Sequence, residues 1–176
     1  MSKINAVVIT ASDACARGER DDASGIALVQ LLTDLGAEIV ATKILSDDLD
    51  PLIEALIDFA DRDDVNLIIT TGGTGLGPRD NTPEATQLII EREAPGMAEA
   101  IRGESLKVTP MAMISRGVCG VRSGALIVNL PGSPKAVKES FAVIAPVLPH
   151  AMDLLAGRTS HRNEEGEDVR DKLIDH

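Results

Sequence analysis

Residues 70–80 read Thr-Thr-Gly-Gly-Thr-Gly-Leu-Gly-Pro-Arg-Asp, with four glycines in six positions. Glycine tolerates positive φ and lets main-chain N–H groups come close to an anion, so Gly72, Gly73, Thr74 and Gly75 can form a nest for phosphate oxygens. The plainer reading is a flexible strand-to-helix loop. Two established phosphate loops are excluded: GxxxxGK[ST] is absent, and the glycine spacing does not match GxGxxG. Arg79 and Asp80 close the stretch with a fork-shaped donor and a carboxylate. A helix starting after Thr82 would aim its positive end at the same region.

Ser46-Asp47-Asp48 supplies more carboxylates after a second strand. One aspartate suffices to cap the next helix, which leaves others spare. Two carboxylates a few ångströms apart repel by ~4 kcal/mol at an effective dielectric near 20. A cation removes that penalty, and Mg²⁺ bound with phosphates commonly uses one or two carboxylates. Asn129-Leu130-Pro131-Gly132-Ser133-Pro134-Lys135 is a second strand–turn–helix junction, readable either as an ordinary helix start or as further hydroxyl, amide and lysine donors. Ser12-Asp13 and Ser115-Arg116 are weak signals taken singly. His150, His161 and His176 show no ligand spacing, so no Ser–His–Asp arrangement can be built, and Cys15 and Cys119 lack a CxxC pattern.

These residues need elements to position them. Ile4–Thr10 is a continuous apolar run suited to a strand buried on both faces. Ala23–Leu35 has Ile26, Val29, Leu32 and Leu35 at helical spacing, with Gly36 as a stop. Ile39–Leu45 reads as a second strand. Asp50-Pro51 predicts an N-cap and first helical position, opening a helix to about Asp61. Leu67–Thr71 is a third strand. Thr82-Pro83-Glu84 repeats the cap-then-proline signal for a helix to about Glu93. Met97 to about Leu106 predicts another, and 111–124 fits no single state. Leu126–Leu130 is a buried strand, Ser133 caps one more helix, and Pro146 and Pro149 kink or split it before Gly157. This alternation predicts an α/β fold with a mostly parallel sheet and helices on both faces. Its ligand crevice would lie at the carboxyl ends of the strands, in the loops after Thr10, Leu45, Thr71 and Leu130.

Composition bounds the function. A chain of 176 residues, 44% hydrophobic and 26% charged, makes one domain with a real core. We expect it over residues 1–157, with 158–176 a polar, mobile tail. A net charge of −11 and an aromatic content of 1%, Phe59 and Phe141 alone, argue against nucleic-acid binding. No apolar run reaches the ~18 residues that span a bilayer, and the amino terminus does not read as a signal peptide. The expected location is cytoplasmic.

The stretch Thr71-Gly72-Gly73-Thr74-Gly75-x-Gly77-Pro78-Arg79-Asp80-x-Thr82-Pro83-Glu84-Ala85 resembles the signature of the molybdenum-cofactor biosynthesis domain. Asn129 to Lys135 resembles its second signature, and Glu104-Ser105-Leu106 and Ile114-Ser115-Arg116-Gly117 also match. The similarity runs unbroken from about Ile4 to Gly157 and is greatest to the molybdopterin adenylyltransferases. It implies a three-layer α/β/α sandwich with one antiparallel edge strand, a homotrimer, and Mg²⁺-dependent transfer of the adenylyl group of ATP to molybdopterin with release of pyrophosphate. A molybdate-inserting enzyme would be the downstream partner. By resemblance the catalytic and metal-linked aspartates fall on Asp47 and Asp80. Binding positions fall on Ser12, Asp13, Gly72, Gly73, Thr74, Gly75, Ser105, Ser115, Asn129, Pro131, Gly132 and Ser133, to which the reading of the residues adds Arg79 and Lys135 as phosphate donors. Many relatives have arginine after the Ser-Asp pair, where this chain has Ala14, so a donor there falls to Arg17 or is missing. Related operon proteins of the same fold tend to lose the Pro-Arg-Asp-x-Thr-Pro pattern, which is intact here. A non-catalytic molybdopterin carrier is the alternative from a different class.

Overall fold

The computed structural model describes residues 2–158. Six strands form one sheet: β1 (Asn5–Ala11), β2 (Glu38–Leu45), β3 (Leu67–Thr71), β4 (Arg92–Glu93), β5 (Cys119–Arg122) and β6 (Ala125–Leu130), in the order β2-β1-β3-β6-β5-β4. The first four in that order run parallel. At the far side β5 runs antiparallel to β6, and the two-residue β4 pairs antiparallel to β5. The central strands carry unbroken apolar runs because helices cover both faces. Ala6, Val8, Leu67, Ile69, Leu126 and Val128 pack on one side; Val7, Ile9, Ile68 and Ile127 alternate to the other.

The first face is covered by α2 (Ala23–Asp34), α5 (Pro95–Leu106), α6 (Pro134–Ile144) and α7 (Leu148–Leu155). The second is covered by α3 (Leu49–Ala60) and α4 (Thr82–Ile89). A short α1 (Asp13–Ala16) follows β1 directly. The core is aliphatic: Leu28, Leu32, Leu52 and Leu56 are fully buried, each such side chain gaining roughly 1.5–3 kcal/mol over exposure.

Local differences from the sequence reading each have a physical cause. Helix α2 turns Val29, Leu32 and Leu35 of the predicted stripe toward the core together with Leu28, but leaves Ile26 68% exposed. Asp48, not Asp50, stands at the N-cap of α3, with Asp50 and Pro51 in its first turn. Asn81 occupies the N-cap of α4, placing Thr82 and Pro83 inside. That helix stops at Ile89 instead of about Glu93, because Glu91 and Ala94 donate to Val121 and Cys119 and the chain joins β5 as β4. The ambiguous segment resolves into a 3₁₀ turn (Pro110–Ile114) and β5. Pro146 and Pro149 do split the last helix, giving α6 and α7.

Candidate active site

Strands β1, β3 and β6 end side by side, and their outgoing loops turn to opposite faces of the sheet. The loop after β1 leads to α2 and that after β3 leads to α4, which opens a crevice at the carboxyl ends. A cleft of about 820 Å³ fills it.

The glycine loop forms its floor. Gly72 donates to Leu130 O at 3.1 Å and Thr71 Oγ1 to Pro131 O at 2.8 Å, tying the end of β3 to the turn after β6. Gly72 has φ +95°, and a Cβ there would meet Ala11 O at 2.2 Å, so no other residue fits this backbone. Gly73 follows at φ +63° and accepts the Thr82 N–H at 3.2 Å, which brings the start of α4 under the loop. Among the described residues no acceptor meets the N–H groups of Gly73, Thr74 or Gly75. These donors are available to an anion.

Two carboxylates stand on the wall. Asp13 and Asp47 bond reciprocally: the Asp13 N–H donates to Asp47 Oδ2 at 2.8 Å and the Asp47 N–H to Asp13 Oδ1 at 3.1 Å. Asn81 Nδ2 donates to Asp47 O at 2.8 Å. The Asp80 carboxylate accepts the Gly77 N–H at 2.7 Å. Asp47 Oδ1 and Asp80 Oδ1 have no protein donor among the described residues. Burial pushes the Asp47 carboxyl above its ordinary value; the Asp13 and Asp80 carboxylates add to this, while the Asp13 N–H and the Arg79 charge oppose it. No group of three His, Cys, Asp or Glu side chains converges among the described residues. Mg²⁺ bound with phosphates uses one or two carboxylates, and Asp47 and Asp80 bring two to the cleft.

Of the other expected residues, Ser12, Gly132 and Ser133 line this cleft. Ser133 also caps α6 through the Ala136 N–H at 3.1 Å. Ser105, Ser115 and Pro131 line an adjoining, more apolar basin of about 330 Å³ that shares Thr74, Gly75 and Ser133 with the cleft. Four lie on neither surface. Asp13 is gripped by Arg79, whose Nε and Nη2 reach its two oxygens at 2.6 and 2.8 Å; this holds the Asp13 carboxyl down at about 2. Arg79 Nη1 also pairs with Asp48 at 3.0 Å, so the guanidinium bridges the loops after β1, β2 and β3. Lys135 is exposed and faces Glu139 at 3.8 Å. Asn129 is buried, its Nδ2 on the Thr70 and Thr86 hydroxyls at 3.0 and 2.9 Å and its Oδ1 on the Val118 N–H at 3.1 Å. It braces the floor from below.

Sequence reasoning missed Arg20 and found only a weak signal at Arg116. Arg17 pairs with Glu19 on the surface, whereas Arg20 lines the cleft and donates to Ser12 Oγ at 3.0 Å. Arg116 binds the glycine loop from behind. Both sit in irregular segments where periodicity carries no signal.

Residues 7–150 match the family described as the probable molybdopterin binding domain. A molybdopterin adenylyltransferase of Helicobacter pylori is 37% identical over 167 residues, 94% of this chain and 95% of that protein. The molybdenum cofactor synthesis protein cinnamon of Drosophila melanogaster is 40% identical over 182 residues, and the aligned region is 30% of its length. Among solved structures, the molybdopterin biosynthesis enzyme MoaB of Thermus thermophilus superposes with TM-score 0.82 at 46% identity, covering 88% of this chain and 97% of that one. The Mog protein of Mycobacterium ulcerans gives TM-score 0.81 at 41% identity, covering 89% and 99%. With the matched sheet, glycine loop and both signature turns in place, the chain belongs to the molybdopterin-binding domain family of molybdenum cofactor synthesis.

Proposed function

We propose that this protein transfers the adenylyl group of ATP to the terminal phosphate of molybdopterin and releases pyrophosphate. The observation that carries this reading is the joining of unpaired glycine-loop N–H groups and two carboxylates in one cleft, continuous with a smaller apolar basin. The adenylyltransferase names of full-length relatives and the intact Pro78-Arg79-Asp80-x-Thr82-Pro83 stretch support it over the carrier reading.

The attacking group is a phosphate oxygen, already ionised at neutral pH, so no general base is required. Its bond to the α-phosphorus of ATP forms as the bond to the bridging oxygen breaks, and the electron pair leaves with pyrophosphate. What the protein must supply is alignment and compensation of phosphate charge. The N–H groups of Gly73, Thr74 and Gly75 would hold phosphate oxygens, with Arg20 the cation beside them. Asp47 and Asp80 would hold Mg²⁺, which neutralises charge on the transferring and departing phosphates when bound. The cleft's own side chains favour a cation: Arg20 faces Asp21, Asp47 and Asp80 around it. A polyanion entering without one would meet net repulsion.

We further propose a homotrimer in the cytoplasm, with the product passed to a molybdate-inserting enzyme. The test is isothermal titration of ATP and molybdopterin with and without Mg²⁺, paired with a pyrophosphate assay. Turnover supports the transferase; tight binding of molybdopterin with no pyrophosphate supports the carrier.

A further inference from the structure

Arg116 joins the glycine loop to the body of the protein through its main chain and its side chain. The Arg116 N–H donates to Thr74 O at 2.9 Å. Its Nε donates to Gly75 O at 2.6 Å and its Nη2 to Asp80 O at 2.6 Å, while Nη1 pairs with the Glu84 carboxylate in the first turn of α4. A planar fork of five donors can satisfy two carbonyls and a carboxylate at once, whereas an ammonium cannot reach all three in one geometry. The two carbonyls mark the ends of the 75–80 segment, whose internal ties are the Asp80 N–H on Gly77 O at 3.0 Å and the Gly77 N–H on the Asp80 carboxylate. The guanidinium therefore sets the span of this segment and the position from which Asp80 faces the cleft.

Arg116 does not line that cleft. It lines a separate cavity of about 300 Å³ behind the loop, together with Gln87, Arg102 and Ser115. We propose that Arg116 is a positioning residue for adenylyl transfer, acting through the Gly75 and Asp80 carbonyls to place the Asp80 carboxylate. This rests on the transferase reading above. It differs from a binding role because the stretch that carries the N–H groups assigned to phosphate keeps three main-chain ties that truncating the side chain leaves in place, Gly72 on Leu130 O, Thr82 on Gly73 O and the Arg116 N–H on Thr74 O, and shares only the Gly75 carbonyl with the guanidinium.

The test compares wild type, Arg116→Ala and Arg116→Lys. Arg116→Ala should lower kcat about 100-fold, the usual cost of a small misplacement at a reacting centre, with KM for ATP changed by less than about threefold. Truncation opens a hole into the rear cavity, so added guanidinium ion should restore activity in a saturable manner, and Arg116→Lys should fall between the other two. Amide exchange by NMR should show Gly77 and Asp80 exchanging faster in Arg116→Ala, slowing again with guanidinium, while strand amides stay unchanged. A wild-type kcat in Arg116→Ala overturns the proposal, and so does a loss that guanidinium does not rescue. If wild type itself forms no adenylylated molybdopterin, the transferase reading fails, and exchange at Gly77 and Asp80 then decides the clamp alone: unchanged exchange overturns it.

Discussion

Asp47 and Asp13 show how neighbouring carboxylates are driven apart. Arg79 holds Asp13 at about 2, so its contacts stabilise the fold above the ordinary carboxylate pKa and are lost only as pH falls through about 2. Asp47 is raised, chiefly by burial, so its ionised form costs stability at neutral pH, and that cost is relieved as pH falls through its folded pKa. A cation beside Asp47 reverses the direction. Titration of the Asp47 carboxyl by carbon NMR should give a lower pKa with Mg²⁺ than without it; an unchanged titration contradicts metal binding there. Asp80→Asn keeps an oxygen to accept the Gly77 N–H, so the variant should melt within a few degrees of wild type while losing at least about 100-fold in turnover. The types of these residues were readable from the sequence; their partners were not. Arg79, expected on phosphate, is committed to Asp13 and Asp48, and Arg20 takes the place beside Ser12. Such pairings depend on three loops meeting in space, which spacing along the chain does not encode.

At the scale of elements, the floor of the site is a junction of strand ends. Replacing Gly72 by Ala would put a Cβ against Ala11 O at φ +95°. The left-handed backbone alone costs about 1–3 kcal/mol, and denaturant unfolding should show at least that loss. Asn129→Ala removes the partners of the Val118 N–H and two buried threonine hydroxyls, for an expected loss of about 1–3 kcal/mol in the same measurement. The central strands β1, β3 and β6 were legible because a doubly covered strand is largely apolar, and the proline-marked helix starts were legible to within a residue or two. β4 was not: two residues, Arg92 and Glu93, both exposed, become a strand only because β5 offers them an open edge. In α2, Ile26 shares the apolar character of the inward-facing Leu28, Val29, Leu32 and Leu35, so composition could not say that it faces out.

For the whole molecule, acidity and the near absence of aromatic rings converge on the same cleft. Phe141 is in the core and Phe59 lies on the second face beside Lys43 and Arg62, so neither lines the cleft or its basin. Adenine and pterin would be gripped by aliphatic walls and main-chain polar groups. The net charge of −11 acts weakly at a distance, since screening falls off over about 8 Å at physiological salt. Locally it is decisive, because three aspartates and one arginine line the cleft. ATP should accordingly bind at least tenfold more weakly without Mg²⁺ by calorimetry, and equal affinity would contradict the charge balance described. No helix among the described residues is long and apolar enough to cross a membrane. Of the tail expected over 158–176, residues 159–176 lie outside the described residues. The central claim is tested most directly by pyrophosphate release from ATP on addition of molybdopterin and Mg²⁺. Release that requires molybdopterin, and that disappears in Asp80→Asn, is the predicted result. No release from the folded wild-type protein, or equal release from Asp80→Asn, would contradict it.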